Sequence, residues 1–312
     1  DWAWTSFNTL GMFAVAAVFL GVFLFVETRA QEPIIPLDLF KSRTFTLSVI
    51  VVFLTGVGMF GAISFIPLFI QAVQGDSATS SGNAITPMML ALVASSVFAG
   101  QLLSRTGKYR VLGVVGMAFL AVGTLLLATM GVDTPRWQTI AYMIVMGLGL
   151  GVAMPLYTLV VQNAFPIQRL GVVTAATTFF RSIGGTVGLA VLGSIVNNRF
   201  QTQFVSELQK LNPQMAARLP ADFASKLTPQ ALINPQALDA IHKGLAAQQI
   251  PAPIVDQIVN TILGAMKPAL AVATTEAFLL GGCGLLLAVV ATAFLKEIPL
   301  RKSNQRPEGG MH

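Results

Sequence analysis

Arg181 raises the first chemical question in this sequence, because it lies inside the apolar stretch 176–196. A guanidinium stays charged and carries five N–H donors, so it binds carboxylates, anions and backbone carbonyls. In hydrocarbon without a partner it costs at least about 2.5–3.5 kcal/mol. Gly184, Gly185 and Gly188 follow it at helical spacing and share its face. Gly184 and Gly188 form a close-packing pattern for membrane helices, so we expect Arg181 to face protein and not lipid.

The position of Arg181 along its stretch gives its expected depth. It lies about 22 Å along a helix from Val196, where the apolar stretch ends. Against a hydrocarbon thickness of about 30 Å, this predicts a depth of roughly 8 Å, which a long side chain nearly spans by snorkelling. Three roles stay open for Arg181. It is a static anchor on carbonyls of its neighbours, a gate that stabilises one conformational state, or a contact with substrate.

The sequence lacks the chemistry of several enzyme classes. It contains no His-Glu-x-x-His zinc motif, no Gly-x-Ser-x-Gly nucleophile motif and no Gly-x-x-x-x-Gly-Lys-Ser/Thr phosphate loop. Its single cysteine, Cys283, allows no disulfide within the chain and no cysteine-type metal site. The apolar stretches hold no aspartate for a paired-aspartate protease, and the last one holds no lysine for a retinal. We therefore predict that the chain is not an enzyme and uses neither a cofactor nor a metal.

The composition indicates a membrane protein. Of the 312 residues, 54% are hydrophobic and 10% are charged, whereas soluble domains carry roughly 25% charged residues. The net charge of +6 comes from lysines and arginines in loops, and no basic run is interleaved with aromatic residues. The lipid bilayer is therefore the expected partner, and nucleic acid is not.

Seven apolar stretches reach the length of about 20 residues that a helix needs to cross the hydrocarbon. Only helices and closed barrels satisfy the backbone in lipid, so an all-α integral membrane protein with about seven transmembrane helices is predicted. The stretches are Ser6–Val26, Phe45–Ile70, Ile85–Leu103, Val111–Met130, Thr139–Val161, Gly171–Val196 and Ala277–Leu295.

Positive charge is concentrated in every second loop. The segments 29–43 and 104–110, Arg169 and the tail after 295 carry it, whereas the loop 71–83 has none. By the positive-inside rule, the N-terminus lies outside and the C-terminus in the cytoplasm of a multi-pass protein in the plasma membrane, the inner membrane of a bacterium. The proline-rich segment 197–275 is expected to be an extracytoplasmic loop. Its amphipathic part, 253–268, either lies along the outer interface or packs on the bundle.

Two of the stretches are interrupted by glycine and proline in matching positions. Helices of this kind are the sequence pointer to a transporter, because they pack closely and bend or break near a binding site. The second stretch contains Gly56, Gly58, Gly61 and Pro67, and the fifth contains Gly147, Gly149, Gly151 and Pro155.

The run 100–113, GQLLSRTGKYRVLG, resembles the loop motif Gly-x-Leu-Ala-Asp-Arg-x-Gly-Arg-Lys of the major facilitator superfamily. Ser104 stands where that motif has Asp, which weakens a charge-relay role. We expect the first glycine to allow a tight helix contact, the second to form a cytoplasmic turn, and the basic residues to cap helix ends or meet headgroups. The residues that match in kind are Gly100, Arg105, Gly107, Lys108 and Arg110.

Three further runs, 161–193, 32–45 and 296–301, resemble the fourteen-span drug:proton antiporters of that superfamily. The resemblance implies the C-terminal half of a multidrug efflux permease. Residues 1–44 would be a linker transmembrane helix (about 6–26) with a cytoplasmic linker, 45–295 a six-helix bundle of two inverted three-helix repeats, and 296–312 a cytoplasmic tail. A chain that starts with Asp1 is expected to be a fragment, with the N-terminal half and most proton-coupling carboxylates missing.

The expected function is proton-coupled efflux of lipophilic, often cationic compounds, with antibiotic resistance as its result and the proton gradient in place of a cofactor. Expected partners are the small-molecule substrate, the missing half of the polypeptide and a periplasmic adaptor protein. Two alternatives stay open: an exporter of a single metabolite, and a non-transporting membrane receptor or assembly protein. Sparse polar groups in an apolar cavity suit lipophilic compounds. The candidate cavity residues are Phe53, Phe60, Phe65, Phe69, Gln71, Tyr142, Tyr157, Gln162 and Asn163.

Overall fold

The computed structural model describes residues 6–29, 35–218, 227–233 and 252–297, and within these ranges the chain forms helices and no strand. Seven of the helices are long and apolar enough to cross a bilayer, which confirms the predicted number and the all-α class. The helices are α1 (Phe7–Arg29), α2 (Arg43–Ala72), α3 (Ala78–Thr106), α4 (Tyr109–Leu127), α5 (Arg136–Ala164), α6 (Leu170–Leu211), the short α7 (Pro213–Arg218) and α8 (Ala252–Ala293).

Local sequence signals set several helix ends. The Ser77 hydroxyl accepts a hydrogen bond from the Ser80 N–H at 3.2 Å and caps the start of α3. Gly107 adopts a left-handed φ of +67°, and its N–H donates to the Leu103 carbonyl, which ends α3 in the predicted turn. Pro67 and Pro155 lie inside helices that continue through them, so the chain is not broken there.

The six helices α2–α6 and α8 pair in a two-fold pattern. The contact of α3 with α5 corresponds to that of α6 with α2, and the contact of α4 with α5 corresponds to that of α8 with α2. The pairs α4–α8 and α2–α5 stay unchanged when α2, α3 and α4 are exchanged with α5, α6 and α8. This is the pairing expected when the triplet α2–α3–α4 is exchanged with the triplet α5–α6–α8. One pair departs from it: α6 and α8 pack closely, whereas α3 and α4 hardly touch.

The helices α6 and α8 are much longer than the predicted spans. Each has 42 residues, or about 63 Å at 1.5 Å per residue, about twice the hydrocarbon thickness. The prediction of a loop over 197–275 is therefore wrong at both ends, because α6 continues to Leu211 and α8 already begins at Ala252. In the extension, Phe200, Phe204 and Ile262 belong to one buried apolar cluster. The amphipathic segment 253–268 thus packs on the bundle, as the second alternative expected.

Linker residues pack against the start of α2, the end of α5 and the start of α6. Ile35 and Leu39 are buried in a small apolar cluster with Phe45, Val161 and Val173. By contrast, the span of α1 is exposed along its length. The predicted linker residues 30–34 and nearly all of the predicted tail, residues 298–312, lie outside the described residues, as do residues 219–226 and 234–251.

Candidate functional site

The helices α2 and α6 cross at backbone contact distance. A Cβ on Gly56 would lie 2.2 Å from the carbonyl oxygen of Arg181, and one on Gly184 would lie 2.1 Å from the carbonyl oxygen of Phe53. Backbone atoms cannot rotate away, so glycine is required for this approach. We call the contact formed by Gly56, Gly184, Gly185 and Gly188 the glycine seam.

The related pair α3–α5 has a contact of the same kind. A Cβ on Gly147 would lie 2.4 Å from the carbonyl oxygen of Met88, and one on Gly151 would lie 2.1 Å from that of Leu92. The glycines noted in matching positions of the sequence therefore serve matching helix crossings. Each triplet places one helix in backbone contact with the other triplet.

Arg181 lies beside the glycine seam with few partners. It is partly buried, and its Nη2 donates to the Met154 carbonyl of α5 at 3.4 Å. Its Nε is buried without a partner, and no ion pair joins it to another described residue. As the spacing predicts, Arg181 faces protein. One long hydrogen bond leaves most of its five donors available to a group outside the described residues.

The predicted depth of Arg181 rested on Val196 as the end of the helix. The helix continues past Val196 to Leu211, so that end does not mark a membrane surface. Measured from its other end at Leu170, Arg181 lies 11 residues into α6, or about 16 Å. Neither end of α6 marks a membrane surface, so the depth of roughly 8 Å stays a prediction.

Among the described residues, the predicted cavity residues lie in several different surroundings. Phe53 and Phe60 flank the glycine seam, where a Cβ on Gly185 would meet the Phe60 ring at 2.4 Å. Phe65 and Phe69 are buried in the main apolar core. Gln71, near the other end of α2, is half-buried.

The polar members of the set are spread over two ends of α5. Tyr157 is fully buried and shares a hydrogen bond with the Thr292 hydroxyl of α8, so it joins two helices and does not face an open space. Gln162 donates to the Thr174 hydroxyl of α6 at 2.9 Å, and its neighbour Asn163 is half-buried. Tyr142, near the opposite end, accepts a hydrogen bond from Gln138.

The loop motif between α3 and α4 differs from expectation at its first glycine. Gly100 is exposed, and no described atom lies within 4 Å of where its Cβ would be, so it makes no tight helix contact within the described part of the chain. Of the two motif glycines, Gly107 has its predicted place in the turn that ends α3. Arg105, Lys108 and Arg110 are all exposed. Their side chains form no hydrogen bond or ion pair among the described residues, and the cap of α3 comes from the backbone instead.

Sequence reasoning missed a cavity of about 870 Å³ between α1 and α6, closed at one end by the linker. Glu27 is its charged lining residue, and the Glu27 carboxylate accepts a hydrogen bond from the Ile35 N–H. The signal is visible in the sequence, because Phe19, Phe23 and Glu27 follow one another at four-residue spacing on one helix face. Its phenylalanines are Phe19, Phe23, Phe40, Phe179 and Phe180.

Aromatic faces with one carboxylate suit a particular ligand chemistry. Ring faces attract cations, and a carboxylate adds a full negative charge. An apolar cavity with few polar groups accepts lipophilic molecules. The cavity therefore matches a lipophilic cation better than a sugar or a phosphorylated compound.

Comparisons with known proteins match the chain to a family and to named relatives. Residues 1–189 match the model of the Major Facilitator Superfamily. The chain is 38% identical to the multidrug transporter protein MdtP of Bacillus subtilis, over 99% of the chain and 56% of the relative. It is 33% identical to the tetracycline resistance determinant of Streptomyces rimosus, over 95% of the chain and 85% of the relative. It is also 33% identical to multidrug resistance protein 3 of B. subtilis, over 94% of the chain and 53% of the relative.

The chain thus spans about half the length of the two Bacillus relatives. The match confirms the resemblance drawn from the loop motif, and the family is one of transporters and not of enzymes. Length, composition and pairing of the helices agree with it. The chain belongs to the Major Facilitator Superfamily.

Proposed function

We propose that this chain takes part in proton-coupled efflux of lipophilic, often cationic compounds across the plasma membrane. The observation that carries the substrate class is the phenylalanine-lined cavity between α1 and α6, with the Glu27 carboxylate at its linker end. The names of the two Bacillus relatives and of the Streptomyces protein support export of drugs. Export lowers the concentration of such compounds in the cell, so antibiotic resistance is the expected result.

Arg181 is proposed to act in the conformational cycle. A permanent anchor would be expected to hold its guanidinium with several short hydrogen bonds, whereas here one bond of 3.4 Å is formed. The glycine seam brings the α2 backbone against Arg181 itself. A group that reached the remaining donors of Arg181 in one conformational state would stabilise that state, which favours the gating role over the static anchor.

The rest of the transport unit is proposed to be an N-terminal half in the same polypeptide. The coverage of 56% and 53% of the two Bacillus relatives supports this division. That half would supply the carboxylates for proton coupling and a partner for the free donors of Arg181. The outer extension of α6 and α8 offers a surface for a periplasmic adaptor protein. In the proposed orientation the α3–α4 turn and residues 294–297 lie in the cytoplasm.

Transport by the full-length protein in proteoliposomes tests the proposal. With an imposed pH gradient, a lipophilic cationic dye should accumulate, and dissipating the gradient should stop it. Glu27→Gln should reduce transport of the cation about tenfold and transport of a neutral lipophilic compound much less, because only the charge is removed. Val97→Ala, on the exposed face of α3 away from this cavity, serves as the control.

The same assay separates the alternatives. If the protein moved a single metabolite and none of several unrelated lipophilic cations, its function would be export of that metabolite and not multidrug efflux. If no compound moved under any imposed gradient, a membrane receptor or assembly protein would replace transport. Equal transport of the cation by Glu27→Gln and by the unaltered protein would remove the α1–α6 cavity from the pathway.

A further inference from the structure

A groove of about 580 Å³ runs between α3 and α4. These helices are consecutive but hardly touch each other. Phe98 and Leu102 of α3 and Val111 and Val115 of α4 form its sides, and Leu148 of α5 lies among its lining residues. Phe98 and Val111 are more than half exposed, so the groove is open along one side of the described helices. We call it the α3–α4 groove.

The two walls of the α3–α4 groove are fixed. A Cβ on Gly151 of α5 would lie 2.1 Å from the Leu92 carbonyl oxygen of α3, and one on Gly149 would lie 2.3 Å from the Leu120 nitrogen of α4. Both walls are thus held against α5 by backbone contacts, and such contacts leave no slack for α3 and α4 to close onto each other. A second, smaller cavity of about 310 Å³ lies between α6 and α8 beside α2, at the position that corresponds to the α3–α4 groove in the two-fold pattern. The gap therefore recurs in both repeats, and it is larger between α3 and α4.

The length of the groove matches one leaflet of a bilayer. Along α3 its lining runs from Ser95 to Thr106, and along α4 from Lys108 to Phe119. Eleven helical steps on each side give about 16 Å, which is half of a hydrocarbon thickness of about 30 Å. An acyl chain that lies in the groove therefore reaches from the α3–α4 turn to the middle of the membrane.

Charge marks the end of the groove at the turn. Lys108 and Thr106 line that end, and Arg105 and Arg110 lie beside Lys108 in the sequence. Among the described residues none of these three basic side chains has an ion-pair or hydrogen-bond partner. An apolar channel one leaflet long with unpaired positive charge at the headgroup level complements a lipid with an anionic headgroup.

We propose that the α3–α4 groove binds one acyl chain of an anionic phospholipid from the leaflet at the α3–α4 turn, with the phosphate at Lys108. The lipid neutralises charge that the described residues leave unpaired. This role is independent of the proposed efflux, because it uses neither Arg181 nor the α1–α6 cavity.

Native mass spectrometry of the full-length protein in detergent tests the proposal. Phosphatidylglycerol and phosphatidylcholine with identical acyl chains are added in turn, and the lipid retained per protein is counted. Lys108→Gln should reduce retention of phosphatidylglycerol about fivefold, the effect of one basic residue near an anionic lipid. Val115→Trp, which fills the groove, should abolish tight retention of both lipids, and Leu102→Trp should do the same. Because both residues are more than one-third exposed, the fold tolerates these changes.

Matched controls make the result specific. Val97→Trp adds the same bulk on the exposed face of α3 outside the groove, and Lys267→Gln removes an exposed lysine of α8. Both should retain phosphatidylglycerol as the unaltered protein does. Equal retention of the two lipids by the unaltered protein, or full retention by Val115→Trp and Leu102→Trp, would overturn the proposal. Loss of binding of a lipophilic cationic dye in Val115→Trp, with phosphatidylglycerol still bound, would assign the groove to substrate instead.

Discussion

At the level of single residues, the positive charge of Arg181 is only partly compensated by hydrogen bonds to the described residues. Partial burial removes water from the guanidinium, and one carbonyl at 3.4 Å replaces it. A buried cation with so few partners is expensive, and such residues in membrane helices mark functional sites. The glycine seam explains why it is tolerated at all, since close packing of α2 keeps lipid away from this face of α6.

Replacing Gly56 by Ala tests how much depends on the glycine seam. The added Cβ would lie 2.2 Å from the Arg181 carbonyl oxygen, so α2 and α6 must move apart. Overpacking of this kind costs about 1–3 kcal/mol, and thermal unfolding in detergent should occur several degrees lower. Gly171→Ala at the start of α6 is the control, because nothing lies within 4 Å of that position. Equal midpoints for the two variants would show that the seam is not tight.

The Asp38–Arg169 ion pair gives a prediction about pH. The hydrogen bond from Arg169 lowers the pKa of Asp38 below its usual value. The pair therefore stabilises the fold above the ordinary aspartate pKa, and this contribution is lost as the pH falls through the lowered pKa. Both side chains are nearly half exposed, so the effect should stay below about 1 kcal/mol.

Thermal unfolding against pH measures this contribution. Asp38→Asn should unfold slightly earlier than the unaltered protein at about pH 6, and the difference should shrink as the pH falls below the ordinary aspartate pKa. Asp133→Asn removes a carboxylate in the loop between α4 and α5 that has no ion pair among the described residues, and it serves as the control. A difference for Asp38→Asn that grows as the pH falls would contradict the ion pair.

At the level of helices, the C-terminal part of α6 and the N-terminal part of α8 are predicted to be held together by apolar packing. Phe204→Ala, at a side chain that is 1% exposed, should cost about 3–5 kcal/mol. Glu276→Gln breaks the ion pair with Arg199, whose side chain is 54% exposed, and should cost less than about 1 kcal/mol. Unfolding in denaturant measures both. A larger loss in the free energy of unfolding for Glu276→Gln than for Phe204→Ala would show that the ion pair, and not apolar packing, holds these helix parts together.

The helices also show what the sequence can and cannot predict. Apolar length located all seven spans, because hydrocarbon demands continuous hydrophobicity. The same criterion ended the sixth span at Val196 and started the seventh at Ala277, because polar residues such as Arg199 and Glu276 lower the hydropathy beyond these positions. The helices continue there on a narrower apolar face with Phe200, Phe204 and Leu208. Boundaries in water follow tertiary packing, which a hydropathy criterion does not detect.

At the scale of the whole molecule, the two triplets are joined by glycine contacts in both related positions. The seam of α2 with α6 and the contact of α3 with α5 bring backbones together without large side chains. Close helix packing at these glycines was predicted from the sequence, because they recur in two stretches. The prediction that Tyr157 lines a cavity failed, since Tyr157 bonds Thr292 of α8. Which helix a side chain faces depends on how the helices pair in three dimensions. It also missed the α1–α6 cavity, which needs α1 and the linker placed against α6.

The proposed orientation in the membrane makes a separate prediction. In a Cys283→Ser background, a cysteine at Asp133 should react with a membrane-impermeant maleimide added to intact cells. A cysteine at Arg110 should react only after the cells are opened, because the α3–α4 turn is proposed to lie in the cytoplasm. Both positions are exposed, so access decides the result. Labelling of Arg110→Cys in intact cells would invert the topology.

Arg181, at the glycine seam, is proposed to control the conformational cycle of the transport unit. The most direct measurement is pH-driven dye transport by the full-length protein in proteoliposomes, with Arg181→Ala compared with Arg199→Ala on the same helix. Arg181→Ala should lose at least about tenfold in transport rate while its thermal unfolding midpoint stays close to that of the unaltered protein, because the guanidinium has one long hydrogen bond to lose. Arg199→Ala should transport normally. Normal transport by Arg181→Ala would show that this arginine has no part in the conformational cycle.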